Sequence, residues 1–249
     1  MRTVVIVQAR MGSTRLPGKV LREVKGRPLL AHTVDRLKRC RLVERIIIAT
    51  STQSQDRVLL ELAKKEGVEG FAGSENDVLD RYYQAAKQFG PEAVVRCTGD
   101  CPMIDPVIVD MVVQHHVEKK GDYTCNTVPR SFPRGYDTEV MTFAALEKAA
   151  HEARQPYERE HVTPYIFEHP QLFRLEQVVA KPEYFLPDLR LTVDTPEDFE
   201  FTREIFEQLY DRNPYFGIDE VLDLLKRNPK LREINAHIQQ KSMHADPGK

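Results

Sequence analysis

Val4-Val5-Ile6-Val7-Gln8-Ala9-Arg10-Met11-Gly12-Ser13-Thr14-Arg15-Leu16-Pro17-Gly18-Lys19 is a β-branched run that passes directly into a loop bearing two arginines, a lysine and two glycines. A short continuous apolar run bounded by Gly and Pro reads as a strand buried on both faces. In an open α/β sheet, ligands bind in the loops beyond the carboxyl ends of the strands. Three cations on such a loop serve packing poorly and suit a polyphosphate, which points to a nucleotide. The competing reading, a solvated basic loop, loses ground because the loop follows a buried first strand.

The spacing excludes two familiar phosphate-binding turns. A P-loop has four residues between its glycines and a Ser or Thr after its lysine. Here five residues separate Gly12 from Gly18, and Val20 follows Lys19. The G-x-G-x-x-G dinucleotide turn is absent as well. Phosphates would therefore be held by Arg10, Arg15 and Lys19, with Ser13 and the loop amides beside them. Arginine supplies forked contacts and lysine a point charge.

Working outward, the chain has 249 residues and a formal net charge of -2, which conceals an asymmetry. Residues 1–45 hold twelve Lys/Arg against three Asp/Glu, while the remainder holds 24 against 35. A basic amino-terminal part suits an anionic small ligand. Arg36, Lys38, Arg39, Arg41 and Arg45 read as a solvated helix face and the turn after it. No nucleic-acid-binding signature accompanies them, so nucleic acid is not the expected partner. Cys40, Cys97, Cys101 and Cys125 form no Cys-x-x-Cys pair, no zinc set and no disulfide framework. With no signal peptide and no membrane-length apolar run, the expectation is reduced thiols in a cytoplasmic protein.

The first half alternates strand and helix: strands at 4–8, 45–49, 68–71 and 93–97, helices at 28–40, 55–67 and 76–89. That rhythm predicts a mostly parallel sheet covered on both faces. From about Gly121 it changes to short extended pieces at 122–125, 137–141, 173–179 and 189–193. Helices at 143–154, 158–167, 196–210 and 218–226 are interleaved with them. This reads as an elaboration of one sheet, with a lid or subunit-contact segment over roughly 121–185. One domain over 1–238 and a disordered tail at 239–249 complete the expectation.

Two aspartates follow predicted strands. Asp100 lies in Thr98-Gly99-Asp100-Cys101-Pro102, and Asp194 in Leu191-Thr192-Val193-Asp194-Thr195-Pro196-Glu197-Asp198. Thr195 and Pro196 mark a helix start, which makes Asp198 that helix's own first-turn acid and leaves Asp194 available. Two carboxylates at separate strand ends can share a magnesium ion with phosphate oxygens.

These three segments together resemble the cytidylyltransferases of the CMP-KDO synthetase type, and most closely the spore coat polysaccharide biosynthesis protein F branch, over about Arg2 to Tyr210. The resemblance implies an α/β nucleotide-diphospho-sugar transferase-like three-layer sandwich with a mostly parallel central sheet. It further implies CTP, an acidic sugar, Mg²⁺ and a homodimer. Arg10, Arg15 and Lys19 match the family's triphosphate positions, and Asp100 and Asp194 its metal-binding aspartates. Thr98 stands where the KDO enzymes carry Gln, a departure that bears on the nucleotide contact. Residues 132–139 fall where the family contacts its sugar. There Arg134 is a candidate for a sugar carboxylate, with Asp137 and Glu139 for hydroxyls; a plain turn into a strand is an equal alternative. Ser74 and Arg81 fall where related enzymes approach the base, and Ser74 with Asp77 also reads as a helix cap. His161 is a substrate candidate or part of a solvated helix start. His115 and His116 read as surface and partial core.

The expected reaction is attack of a sugar hydroxyl on the α-phosphorus of CTP with loss of pyrophosphate, for polysaccharide synthesis. Arg15, Lys19 and Asp100 would carry the catalysis. The alternatives are a sugar-1-phosphate nucleotidylyltransferase and a non-catalytic nucleotide-binding scaffold subunit. A glycosyltransferase is disfavoured because Asp100-Cys101-Pro102 lacks Asp-x-Asp.

Overall fold

Side chains alternate across a strand, so an unbroken β-branched run belongs where both faces of a sheet are covered. In the computed structural model, which describes residues 1–240, Thr3–Gln8 (β1) lies inside such a sheet. Val5 and Val7 enter one apolar cluster and Val4 and Ile6 the other; all four are buried. A small antiparallel hairpin, Glu23–Val24 (β2) with Arg27–Pro28 (β3), stands apart from that sheet. The remaining strands are Arg45–Ser51 (β4), Glu69–Gly73 (β5), Ala93–Thr98 (β6), Tyr123–Cys125 (β7), Glu139–Thr142 (β8) and Leu175–Gln177 (β9). The seven-stranded order is β5-β4-β1-β6-β8-β7-β9. Pairing is parallel from β5 through β6 and again between β7 and β9, and antiparallel on both sides of β8.

Helices cover both faces. Leu29–Leu37 (α1), Arg57–Lys65 (α2) and Pro106–Lys119 (α4) pack on the side of Val5 and Val7. Val78–Phe89 (α3), Phe143–Glu152 (α5) and Pro164–Phe167 (α7) take the side of Val4 and Ile6. Pro156–His161 (α6) leads into α7, while Pro196–Leu209 (α8) and Ile218–Arg227 (α9) complete the first side. The result is the three-layer sandwich with a mostly parallel sheet. The elements after Gly121 extend the same sheet, since β8 pairs directly with β6.

Several local expectations are corrected. The 189–193 segment is not a strand and makes only an isolated bridge, Arg134 with Arg190. Its amides are divided between two neighbours: Leu191 N–H reaches Arg134 O at 2.7 Å, and Val193 N–H reaches Asp100 O at 2.9 Å. No single partner runs alongside it, so no ladder forms. Gly135 permits that approach, with φ of 107° and no room for a Cβ, which would meet the Leu191 carbonyl carbon at 2.7 Å. The helix expected at 158–167 is broken in two at Val162, whose φ is 75°. Pro164 then opens α7, because its ring cannot continue the preceding turn. The helix expected at 76–89 begins at Val78 and is capped by Asp77, whose carboxylate accepts from Asp80 N–H at 2.9 Å. Ser74 sits one turn earlier and accepts from Asp77 N–H.

Arg36 departs furthest from expectation, because it is buried and not solvated. Its guanidinium lies 4.4 Å from the Phe216 ring centroid and donates to Phe216 O at 2.7 Å. A flat, weakly hydrated cation can enter an aromatic environment that would exclude an ammonium. The four cysteines are free and buried. Of the expected disordered tail, 241–249 lies outside the described residues.

Candidate active site

The loop after β1 is closed by short local bonds. Gly18 N–H donates to Met11 O at 3.2 Å, and Leu16 is buried beneath the loop. Gly18 takes the left-handed conformation that glycine adopts without strain, with φ of 65°, and starts the 3-10 turn Lys19–Leu21. Asp56, just ahead of α2, pins the loop from the side by accepting from Met11 N–H at 2.7 Å and from Ser51 Oγ. Sequence reading had no local signal for Asp56, since its partner is 45 residues away.

Asp100 reaches the same edge from β6. Gly99 N–H donates to Gln8 O at 2.9 Å, continuing the β1–β6 pairing one residue past the strand. The Thr98 hydroxyl donates to Asp100 Oδ1 at 2.5 Å, leaving Oδ2 facing the loop. Asp194 comes from the opposite direction, at the start of α8. Thr195 caps that helix in a reciprocal box with Asp198.

Asp198 also does more than its place in the helix start suggests. It has no solvent exposure. Its carboxylate accepts from Asp194 N–H, Thr195 N–H, Asn235 Nδ2 and the Arg190 guanidinium. Arg190 Nη2 is 2.9 Å from Asp198 Oδ2 and 3.2 Å from Asp194 Oδ2. Burial disfavours the Arg190 cation, but Asp198 and then Asp194 outweigh it and hold the group charged. Removing one member of a buried pair of this kind strands a charge, at a cost of about 3–5 kcal/mol. Arg190 was missed in the sequence, where it looks like one polar residue within an alternating segment.

Both aspartates converge on Lys19. Its Nζ lies 2.7 Å from Asp100 Oδ2 and 2.7 Å from Asp194 Oδ1, and Arg15 Nη2 lies 3.2 Å from the same Asp194 oxygen. Burial opposes the Lys19 charge, yet Asp100 and Asp194 raise its pKa above the ordinary lysine value. Burial likewise opposes the Asp100 carboxylate, but the Lys19 charge, together with hydrogen bonds from Lys19 and Thr98, holds its pKa below the usual range. The centre is thus a cation salt-bridged to two carboxylates.

That geometry fits a divalent ion shared with a ligand. Two carboxylate oxygens from separate elements already face one cation. Among the described residues no group of three or more His, Cys, Asp or Glu side chains converges to form an all-protein cage. A pair of carboxylates completed by phosphate oxygens and water is the donor set magnesium accepts.

The other sequence candidates are placed more widely. Arg10 and Ser13 stay on the loop, Arg10 exposed and Ser13 accepting from Leu16 N–H at 3.3 Å. Arg81 is buried and donates to Ser74 O at 3.1 Å, so these two are brought together beside the loop after β5. Burial lowers the Arg81 pKa, and Arg10 is among the nearby charges that add to this. Arg134 is half-buried and makes no carboxylate pair among the described residues. Burial and the neighbouring Arg130 lower its pKa. Asp137 is held by both Arg130 nitrogens at 2.6 and 2.7 Å, so its oxygens are already engaged. Glu139 is buried against Arg96, the Tyr123 hydroxyl and the Thr163 hydroxyl, which makes it a core ion-pair member in this state. His161 is the last residue of α6. His115 is half-buried, and His116 is fully in the core against Thr124.

Comparison with known proteins adds an independent line. A family model described as cytidylyltransferase matches residues 4–221. An uncharacterized protein of Methanocaldococcus jannaschii is 39% identical over 97% of this chain and 98% of its own. The spore coat polysaccharide biosynthesis protein SpsF of Bacillus subtilis is 37% identical, covering 90% of this chain and 94% of that one. A solved cytidylyltransferase from Leptospira borgpetersenii superposes with a TM-score of 0.88 at 34% identity, over 97% of this chain and 100% of that one.

Proposed function

The chain belongs to the cytidylyltransferase family, and from that premise we propose that it transfers CMP from CTP to a sugar hydroxyl, releasing pyrophosphate, in the synthesis of a surface or spore-coat polysaccharide. The observation that carries the reading is the convergence of Asp100 and Asp194 on Lys19, with Arg15 alongside, at the carboxyl edge of β6.

Phosphoryl and nucleotidyl transfer depend mostly on positioning and on neutralising charge. Arg10, Arg15 and Lys19 would hold the triphosphate, Lys19 leaving the carboxylates as the β- and γ-phosphates arrive. Its charge and that of Arg15 then stabilise the departing pyrophosphate. Asp100 and Asp194 would hold Mg²⁺, which when bound neutralises phosphate charge and polarises the α-phosphate. Arg134, a half-buried cation with no carboxylate partner among the described residues, suits the carboxylate of an acidic sugar. Ser74 and Arg81, which lie together beside the loop after β5, would approach the base.

The direct test is pyrophosphate release from each of the four nucleoside triphosphates with Mg²⁺, against acidic sugars and sugar phosphates. Release with CTP and a 2-keto acid sugar is the expected result. Release only with a sugar phosphate would move the protein to the pyrophosphorylase class. CTP binding without turnover on any sugar would favour the scaffold reading.

We also propose that the protein works in the cytoplasm, where CTP would be supplied; among the described residues no helix is long and apolar enough to cross a membrane. We also propose a homodimer. Val128, Val179 and Phe185, in or at the end of the 121–185 segment, are 42, 58 and 53% exposed and offer apolar surface for it. Light scattering of the purified protein should give twice the chain mass; a monomer mass would remove that assembly.

A further inference from the structure

The two aspartates are held in the same way from behind. Asp100 Oδ1 is taken by the Thr98 hydroxyl at 2.5 Å, and only Oδ2 meets Lys19. Asp194 Oδ2 is taken by Arg190 Nη2 at 3.2 Å, and only Oδ1 meets Lys19 and Arg15. Each carboxylate therefore offers a single oxygen toward the shared cation. The supports are themselves fixed. Arg190 is 5% exposed and locked on Asp198, which also binds the Asp194 backbone amide at 3.0 Å. Thr98 is the last residue of β6, in register with Gln8 of β1.

We infer that Thr98 and Arg190 are positioning residues that make Asp100 and Asp194 single-oxygen ligands, so that the site favours a small octahedral ion over a larger one. The inference rests on the metal reading given above. It moves Thr98 from the nucleotide contacts expected in the sequence to the support of Asp100. The chemistry follows from ion size. Magnesium and manganese accept one oxygen from each of a few carboxylates and fill the rest with phosphate and water. Calcium, with six to eight ligands, gains from carboxylates free to bind through both oxygens. Groups that orient metal ligands from behind are commonly worth 10–100-fold in metal affinity.

The test uses the full chain with CTP and no sugar, so that no turnover occurs, and reads Mn²⁺ binding by electron paramagnetic resonance. Thr98→Val keeps the side-chain shape and removes the hydroxyl; Thr98→Ser restores it. The expected result is about tenfold weaker Mn²⁺ binding in Thr98→Val, recovery in Thr98→Ser, and unchanged CTP affinity in EDTA. Arg190→Lys should show the same weakening, and in both Thr98→Val and Arg190→Lys Ca²⁺ should displace Mn²⁺ at a lower concentration than in the parent protein. If Arg190→Lys fails to fold, the Thr98 pair decides alone. Mn²⁺ affinity in Thr98→Val within twofold of the parent would overturn the inference. So would a loss of CTP affinity in EDTA, which would return Thr98 to the nucleotide. Asp100→Asn separates the two levels of failure. If it abolishes Mn²⁺ binding while Thr98→Val changes nothing, only the positioning role falls. If it leaves Mn²⁺ binding intact, the metal reading falls first.

Discussion

Asp100→Asn should lower kcat for nucleotidyl transfer about a thousandfold while leaving CTP binding in EDTA intact or slightly tighter. The amide keeps the shape of the carboxylate and can still accept from Thr98, so the β6 edge should stay in place. What it loses is the charge on the oxygen facing Lys19, 2.7 Å away. Without that charge the site holds a divalent ion weakly, and the charge developing on the phosphates loses its counterweight. Removing a negative charge beside an incoming triphosphate also lowers the repulsion the nucleotide meets. Steady-state pyrophosphate release and calorimetric CTP titration in EDTA read the two effects separately. Undiminished turnover in Asp100→Asn would take Asp100 out of the metal role.

Lys19→Met should reduce kcat by about 10²- to 10³-fold, since it removes one preorganised cation aimed at the leaving group. It should also have an effect that a simple phosphate ligand would not produce. In the ligand-free protein, Lys19 occupies the point where the two carboxylates meet, so a divalent ion must displace an ammonium held at 2.7 Å by each. Methionine strips Asp100 of its cationic partner and leaves Asp194 to Arg15 and Arg190 alone. Two like charges at such a site attract a cation strongly. Mn²⁺ binding to the nucleotide-free protein should therefore tighten about tenfold over the parent, even as activity falls. Titration by electron paramagnetic resonance without CTP measures this. Retained turnover would contradict the phosphate role of Lys19, and unchanged Mn²⁺ affinity would contradict the shared-ion site. In the parent protein the same arrangement predicts that metal enters after, or together with, the nucleotide that draws Lys19 away.

The sequence disclosed those elements whose signals are local. The run Val4–Val7 required burial on both faces, and the structure places its alternate residues in two separate cores. The count between Gly12 and Gly18 excluded a P-loop without reference to any neighbour. Thr195-Pro196 announced α8, which starts at Pro196 with Asp198 in its first turn. The cations of the loop after β1 and Asp100 beyond the end of β6 were legible as candidates because that reading depends on residue type at a loop position.

Only the tertiary structure decided which groups meet. Lys19 lies 81 residues from Asp100 and 175 from Asp194, and no pattern along the chain encodes that meeting. Asp198 read as a helix-start acid, which it is, but its burial against Arg190 and Asn235 also fixes Asp194. Arg36 belonged by pattern to a solvated face, yet Phe216 arrives from 180 residues away to cover it. Glu139 carried the chemistry of a sugar ligand until β8 paired with β6 and set it against Arg96. Periodicity reports which side of an element is apolar; which charge finds which partner depends on distance in three dimensions, set by how the sheet is ordered and how its loops converge.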